Sequence, residues 1–511
     1  MKFKNILLCA SLLGGLTLSS CTGGFLDEDR NPNSLGPEGF WKNEADILKG
    51  LTAAYAGLQP TIEWGQPFER YIVIDNYRSD ELDFRPDVTA WAQLAMFTNE
   101  STNYVPRDEW VNLYASINYC NQCLDNIPNV PDNDSESTKQ AKATGIAEAR
   151  FLRAFYYYRL FINFGERLPM FLNEIQGSEE EFYPPQVEAG VVKNFIETEL
   201  SECQADLPES WNSSMAGRAN KYTAAALLGK YYMFIGEEAK AKTEFAKVIN
   251  SRRYELMENY SDNFDGLHKN NKESVFEVQF TGIMEGSHYE YNLFTVHLGP
   301  DNGCGAYEEA YPSNWLFETM KKDLTVDGEY SDRLYQTIIF DDSKSRPFYY
   351  GEGEDFKTHH KDGEIFWRKY VTYDESLGDY WDNSGFNVPI IRYADVLLLY
   401  AECLNKEGNT KEAIKYINQV RDRVHVTPLP DTMSATEVLK HLQDVERPCE
   451  LALEGSRWYD LIRWGIVEQA LKDHEKPFAS NFLSTKHVKL AIPHQEFLMN
   501  PDWVQNEGYT K

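Results

Sequence analysis

The chain has 511 residues and a formal net charge of −30, with 80 acidic against 50 basic side chains. So acidic a surface repels nucleic acid and anionic headgroups, which excludes an electrostatic grip on polyanions as its main mode of action. Eight cysteines scattered over this length do not form a dense disulfide framework, whereas an aromatic content of 14% exceeds what a core alone requires.

The first predicted element is an export signal over residues 1–20. Lys2 and Lys4 open it, an apolar run from Ile6 to Leu18 follows, and small residues precede Cys21. The run is shorter than the roughly 20 apolar residues a membrane-spanning helix needs. Leu18-Ser19-Ser20-Cys21 is similar to a bacterial lipobox, so Cys21 is the expected site of lipidation and membrane attachment. Asp27, Asp29, Asn31, Asn33 and Glu38 have the spacing of a calcium loop, but Pro32 stands where such a loop requires glycine. No metal or cofactor is therefore assigned, and calcium is left open elsewhere.

Four helix pairs are expected, over residues 44–127, 140–207, 220–250 and 391–425. The clearest evidence is an internal repeat. Gly229, Gly236, Ala241, Phe245 and Val248 recur 172 residues later as Ala401, Gly408, Ala413, Ile417 and Val420. Small residues let two antiparallel helices approach, and the second glycine ends the first helix. This is the tetratricopeptide pattern. The first two pairs are split by insertions, which should emerge on a surface. Cys120 and Cys123 fall within predicted helix and read as packing residues. Residues 255–390 are rich in Gly, Asp, Asn and Tyr, and predict an irregular region packed on the helices, with few short strands and helices. The fold class is thus mainly α, a tetratricopeptide-like scaffold carrying a large loop-rich region.

No metalloprotease, serine-hydrolase or nucleotide-binding motif occurs. His359 and His360 sit in a charged stretch and read as solvated. The remaining candidates are aromatics among polar residues, where a ring would be exposed to take the apolar face of a sugar. They are Trp64 and Trp91 in the first insertion, Tyr289 and Tyr291, and Trp381. Asp80, Asp83 and Arg85 could supply hydrogen bonds to hydroxyls, or could cap turns. Trp315, Trp458 and Trp464 lie in apolar helical contexts and read as core.

Five pieces in order resemble one known family. They are Cys21 with Phe25-Leu26-Asp27, AEARFLRAFYYYRLFINFGERLP at 147–169, RYADVLLLYAECLN at 392–405, ERPCELALEGSRWYDLIRWG at 446–465 within a C-terminal signature of 444–511, and LAIPHQEFLMNP at 490–501. Together they resemble the SusD/RagB-like outer-membrane lipoproteins of glycan-uptake systems, along one domain from residue 21 to 511. Pro448-Cys449 departs from the family's more polar residues there. The resemblance implies a lipid-anchored, surface-facing protein without catalytic function. It would bind an oligosaccharide and deliver it to a TonB-dependent, SusC-like transporter. A peptide-binding repeat scaffold and a lipid-anchored glycoside hydrolase are the alternatives.

Overall fold

The computed structural model describes residues 37–60, 66–175, 177, 179–282, 290–301, 306–346, 348, 355–371 and 384–511. Cys21 and, apart from Glu38, the calcium-like spacing that follows it fall outside them. The scaffold helices are α1 (Glu44–Ala56), α2 (Tyr104–Asn126), α3 (Glu136–Phe164), α4 (Val191–Glu202), α5 (Lys221–Ile235) and α6 (Glu238–Ser251). A short α7 (Asn314–Lys322) precedes α8 (Tyr393–Lys406) and α9 (Thr410–Arg423), and α10 (Arg447–Leu451) and α11 (Arg457–Trp464) follow.

Helix α1 packs on α2, α3 on α4, α5 on α6, and α8 on α9. Contacts of α2 with α3, α4 with α5, and α6 with α8 join the pairs into one stack. Each pair thereby buries a face it could not bury alone. The repeat positions do what their sizes allow. A Cβ on Gly229 would stand 2.5 Å from the Phe245 ring, so only glycine admits that ring. Gly236 ends α5 in the left-handed region, at φ 79°. Ala401, Ala413, Ile417 and Val420 are buried against one another in the α8–α9 pair. Helix α3 is buried on all sides from Phe151 to Phe164 and forms the centre of the stack. Cys120 and Cys123 are free thiols in its contact with α2, and burial pushes Cys123 up to about 12, as packing residues require.

The loop-rich region returns to the scaffold through short antiparallel pairs. Strand β1 (Leu82–Phe84) pairs with β3 (Ala310–Pro312), β2 (Ser274–Val278) with β6 (Val388–Arg392), and β4 (Ile338–Ile339) with β5 (Phe366–Trp367). His360, expected to be solvated, is buried between Phe356 and Phe366, with ring centres 4.8 and 4.5 Å away. No helix of the described residues is long and apolar enough to cross a membrane.

An ionic network holds these parts together. Glu450 receives Arg392 (3.0 Å), Arg423 (2.5 Å) and Arg333 (3.2 Å), while Arg333 also reaches Glu446 at 2.9 Å. Arg447 bridges Asp395 and Asp460 at 2.8 and 2.7 Å. Arg457 grips both oxygens of Asp80 at 2.7 Å. The side chains of all these groups are buried, so the conspicuous charges of residues 446–465 are structural: Glu446, Glu450 and Arg457 answer opposite charges on other segments, whereas Asp460 is held by Arg447 and Arg463 of the same stretch. Pro448 sits in the first turn of α10, where a missing N–H costs little, directly after a π-helical stretch at Leu442–Glu446.

Glu81 stands apart from this pairing. It is fully buried, its Oε2 has no hydrogen-bond partner among the described residues, and burial, then the charge of Asp80, pushes its carboxyl from 4.5 up to about 8. Its folded value exceeds its unfolded one. Its contribution to stability is therefore complete below 4.5 and is lost as pH rises towards and through 8. Glu81→Gln should then stabilise the fold more at pH 8.5 than at pH 5.5, by a difference on the order of a few kcal/mol. Scanning calorimetry at the two pH values checks this; equal effects at both would show that Glu81 is already ionised at pH 5.5 in the folded state, with its pKa not raised.

Candidate functional site

An open cleft of about 750 Å³ forms where β1, β3, the first turn of α7 and residues 471–478 meet. The β1–β3 ladder sets Asp83 directly opposite Tyr311, so both side chains stand on one face. Next in the chain, Ser313 caps α7 through its hydroxyl, which accepts from the Leu316 N–H at 3.3 Å. Leu316 and Met320 turn into the core from this helix, whereas Trp315, one position before Leu316, faces the cleft half-buried.

Trp315 is the best-supported ring of the cleft. Its indole stacks on the His474 imidazole at 3.8 Å and 14°, and the Arg457 guanidinium lies 4.9 Å from its centre. Both partners are fixed by one carboxylate, because His474 Nδ1 stands 2.7 Å from Asp80 Oδ2 and Arg457 donates to both Asp80 oxygens. Burial opposes a charge on Asp80, but Arg457 and His474 outweigh it and hold the carboxyl far below the usual range. Phe84 and Phe478 add rings on another wall, 6.1 Å apart. Between them Lys476 is drawn to Asp83 and to the Leu82 carbonyl. The acids Asp83, Glu318, Asp473 and Glu475 outnumber Lys322 and Lys476 along the lining. Rings with polar edges and a net acidic rim suit a neutral polyhydroxylated ligand.

The sequence-derived candidates fare unequally. Asp83 lines the cleft. Asp80 is nearby but inaccessible: it anchors the groups behind Trp315 and cannot reach a hydroxyl in solution. Arg85 is spent on Asp87 at 2.8 Å, Asp301 at 3.4 Å and the Tyr307 carbonyl, holding one loop to another. Trp91, expected to be exposed, is buried at 4%. Its indole N–H donates to Glu69 at 2.8 Å, and Phe68, Tyr77 and His297 surround its ring. The reason is that Thr89–Ala95 is a helix whose apolar residues pack inward, so the polar residues before it say nothing of Trp91. Tyr291 is half-buried and is not among the residues lining the cleft. Trp64, Tyr289 and Trp381 lie outside the described residues. Trp315, expected to be core, packs against the core on one side and lines the cleft half-buried on the other. Trp458 is core as expected.

A second void, lined by Asp75, Arg159, Lys230 and Asp460, measures about 80 Å³, too small for a sugar ring. Asp262, Asp265 and His268 could together hold a metal ion, but Asp265 and His268 already bond to each other at 2.7 Å.

Known proteins share this architecture. Residues 24–233 match the profile described as starch-binding and associating with the outer membrane, and residues 272–509 match that of the SusD family. A SusD-like protein of Formosa agariphila is 28% identical over 97% of this chain and 98% of its own length. A SusD superfamily protein from Bacteroides vulgatus superposes with a TM-score of 0.81 at 26% identity, covering 92% of this chain and all of the other. A laminarin-binding SusD-like protein gives 0.74 at 26% identity, again over 92% of this chain and 100% of its own.

Proposed function

The chain belongs to the SusD family, and we propose that it binds a neutral oligosaccharide at the cell surface in the cleft around Trp315, without cleaving it. The observation that carries this reading is the Trp315 ring, half-buried at the cleft and backed by a rigid His474–Asp80–Arg457 relay. A pyranose needs its C–H face covered while its hydroxyls keep partners, and a fixed indole beside Tyr311, Asp83 and Lys476 offers both. The laminarin-binding relative, whose ligand is itself a glucan, agrees with a neutral ligand. Lipidation at Cys21 attaches the protein to the outer membrane, and a TonB-dependent SusC-like transporter receives the glycan.

A form beginning after Cys21, screened on a glycan array and then titrated calorimetrically against the hits, tests the binding function. Neutral oligosaccharides should bind and be recovered intact. Shorter sugars appearing in the cell would instead identify a hydrolase, and binding of peptides with no glycan would identify a repeat scaffold. Mild-detergent extraction of native membranes should bring a TonB-dependent transporter with the protein; recovery of the protein alone under conditions that preserve such complexes would overturn delivery.

A further inference from the structure

A second cleft, of about 480 Å³, opens between the connector of α4 to α5, the end of α6 and the start of β2. It shares no lining residue with the cleft around Trp315. Its charge is opposite. Arg218, Arg252, Arg253 and Lys272 line it against Glu209 and Glu277, on a chain whose net charge is −30. Both acids are already engaged. Glu209 is held by Lys221 at 2.7 Å and Arg253 at 2.6 Å, and Glu277, buried, takes the amide of Asn387 at 2.7 Å and the Asn270 N–H at 2.5 Å. Arg252 ends α6 in the left-handed region, exposed, with no side-chain partner among the described residues. Arg253 is paired with Glu209 and Lys272 with Glu255 at 3.0 Å, so Arg252 is the lining's cation left to meet an anion, and an unpaired guanidinium supplies there an attraction that a surrounding acidic surface does not.

An aromatic plate stands in the same cleft. Trp211 is half-buried, and its indole N–H donates inward to the Ala219 carbonyl at 2.8 Å. What it has left for the cleft is ring surface. Arg218 lies 4.3 Å from the ring centre and is itself clamped by the buried Glu148 through its Nε at 2.7 Å, so the ring is rigidly backed. A fixed indole beside a free guanidinium meets the two needs of an acidic sugar: an apolar face to cover and an anion to pair.

We propose that this cleft is a second glycan site, selective for acidic oligosaccharides, with Trp211 as the platform and Arg252 as the group that receives the sugar's anion. It is independent of the neutral-glycan cleft and stands or falls separately. The test is calorimetric titration of the soluble form with a tetragalacturonate and with a sulfated galactan tetrasaccharide, whose results identify the anion, and with a neutral glucan tetrasaccharide as control. At least one acidic probe should bind, weakening as salt rises from 50 to 300 mM. Arg252→Glu and Trp211→Ala should each weaken that binding tenfold or more, while Trp315→Ala leaves it unchanged. Arg252 is exposed, so its variant folds even where the Trp211 variant does not. Absence of heat with both acidic probes overturns the proposal. So does binding that is indifferent to Arg252→Glu, or that is lost with Trp315→Ala.

Discussion

Glu450→Ala is expected to cost the fold about 3–5 kcal/mol, a large fraction of a domain's total stability. Three guanidiniums converge on this one buried carboxylate, from Arg333, Arg392 and Arg423. Removing it leaves cations without compensation in a medium that cannot solvate them, and the penalty is that of an unpaired buried charge rather than of a lost bond. The contrast is the exposed pair of Lys472 and Glu468, which meets at 2.6 Å but with both side chains more than half exposed. Glu468→Ala should cost well under about 1 kcal/mol, because water screens and replaces that contact. Urea titrations of the two variants beside the wild type measure the difference. The same carboxylate makes a pH prediction. Burial raises its pKa, but Arg423, Arg392 and Arg333 prevail and hold it at about 2, below its ordinary 4.5. Its stabilisation is present above 4.5 and lost as pH falls towards 2, so acid unfolding in that window should be steep in the wild type. Comparable loss of stability in both alanine variants would refute the network as the fold's keystone.

The helices were legible because their signals are local. Small residues and glycines recur at fixed offsets around residues 229–248 and 401–420, and the spacing carries the pairing with it. The signature at 446–465 was recognisable as a pattern, but its purpose was not, since the partners of its charges are remote: Glu450 meets Arg392 58 residues away, and Arg457 meets Asp80 across 377. No window of sequence joins such residues. For the same reason the different places of Asp80 and Asp83 are not legible in the sequence: one is a buried anchor and the other lines the cleft. For the two tryptophans, direction decides exposure where composition does not. Trp91 follows polar residues, yet its helix turns it inward. Trp315 precedes Leu316, and the inward pair of Leu316 and Met320, four apart, places Trp315 about 100° off the buried face. That helical geometry was available in the sequence.

Replacing Trp315 by Ala should weaken glycan binding by about 2 kcal/mol or more, roughly 30-fold in Kd, while leaving the melting curve nearly unmoved. The asymmetry follows from where the ring stands. It is half-buried at the edge of the cleft, its helix keeps Leu316 and Met320 in the core, and alanine is a good helix former. Its value to a ligand is that it is already rigid: His474 stacks on it at 3.8 Å and Asp80 fixes His474, so binding a sugar immobilises nothing further. His474→Ala therefore loosens the platform without deleting it and should cost less affinity than Trp315→Ala. Asp80→Asn weakens the grip on Arg457 and His474 together, so it should lower stability as well as affinity. This ordering separates a sugar platform from a ring that merely fills space, since a filler would lose stability first and affinity only in proportion. Titrating the three variants against the strongest neutral oligosaccharide, with thermal melts on the same samples, reads both quantities. A Trp315→Ala protein that binds as tightly as the wild type would move the glycan site to another part of the surface.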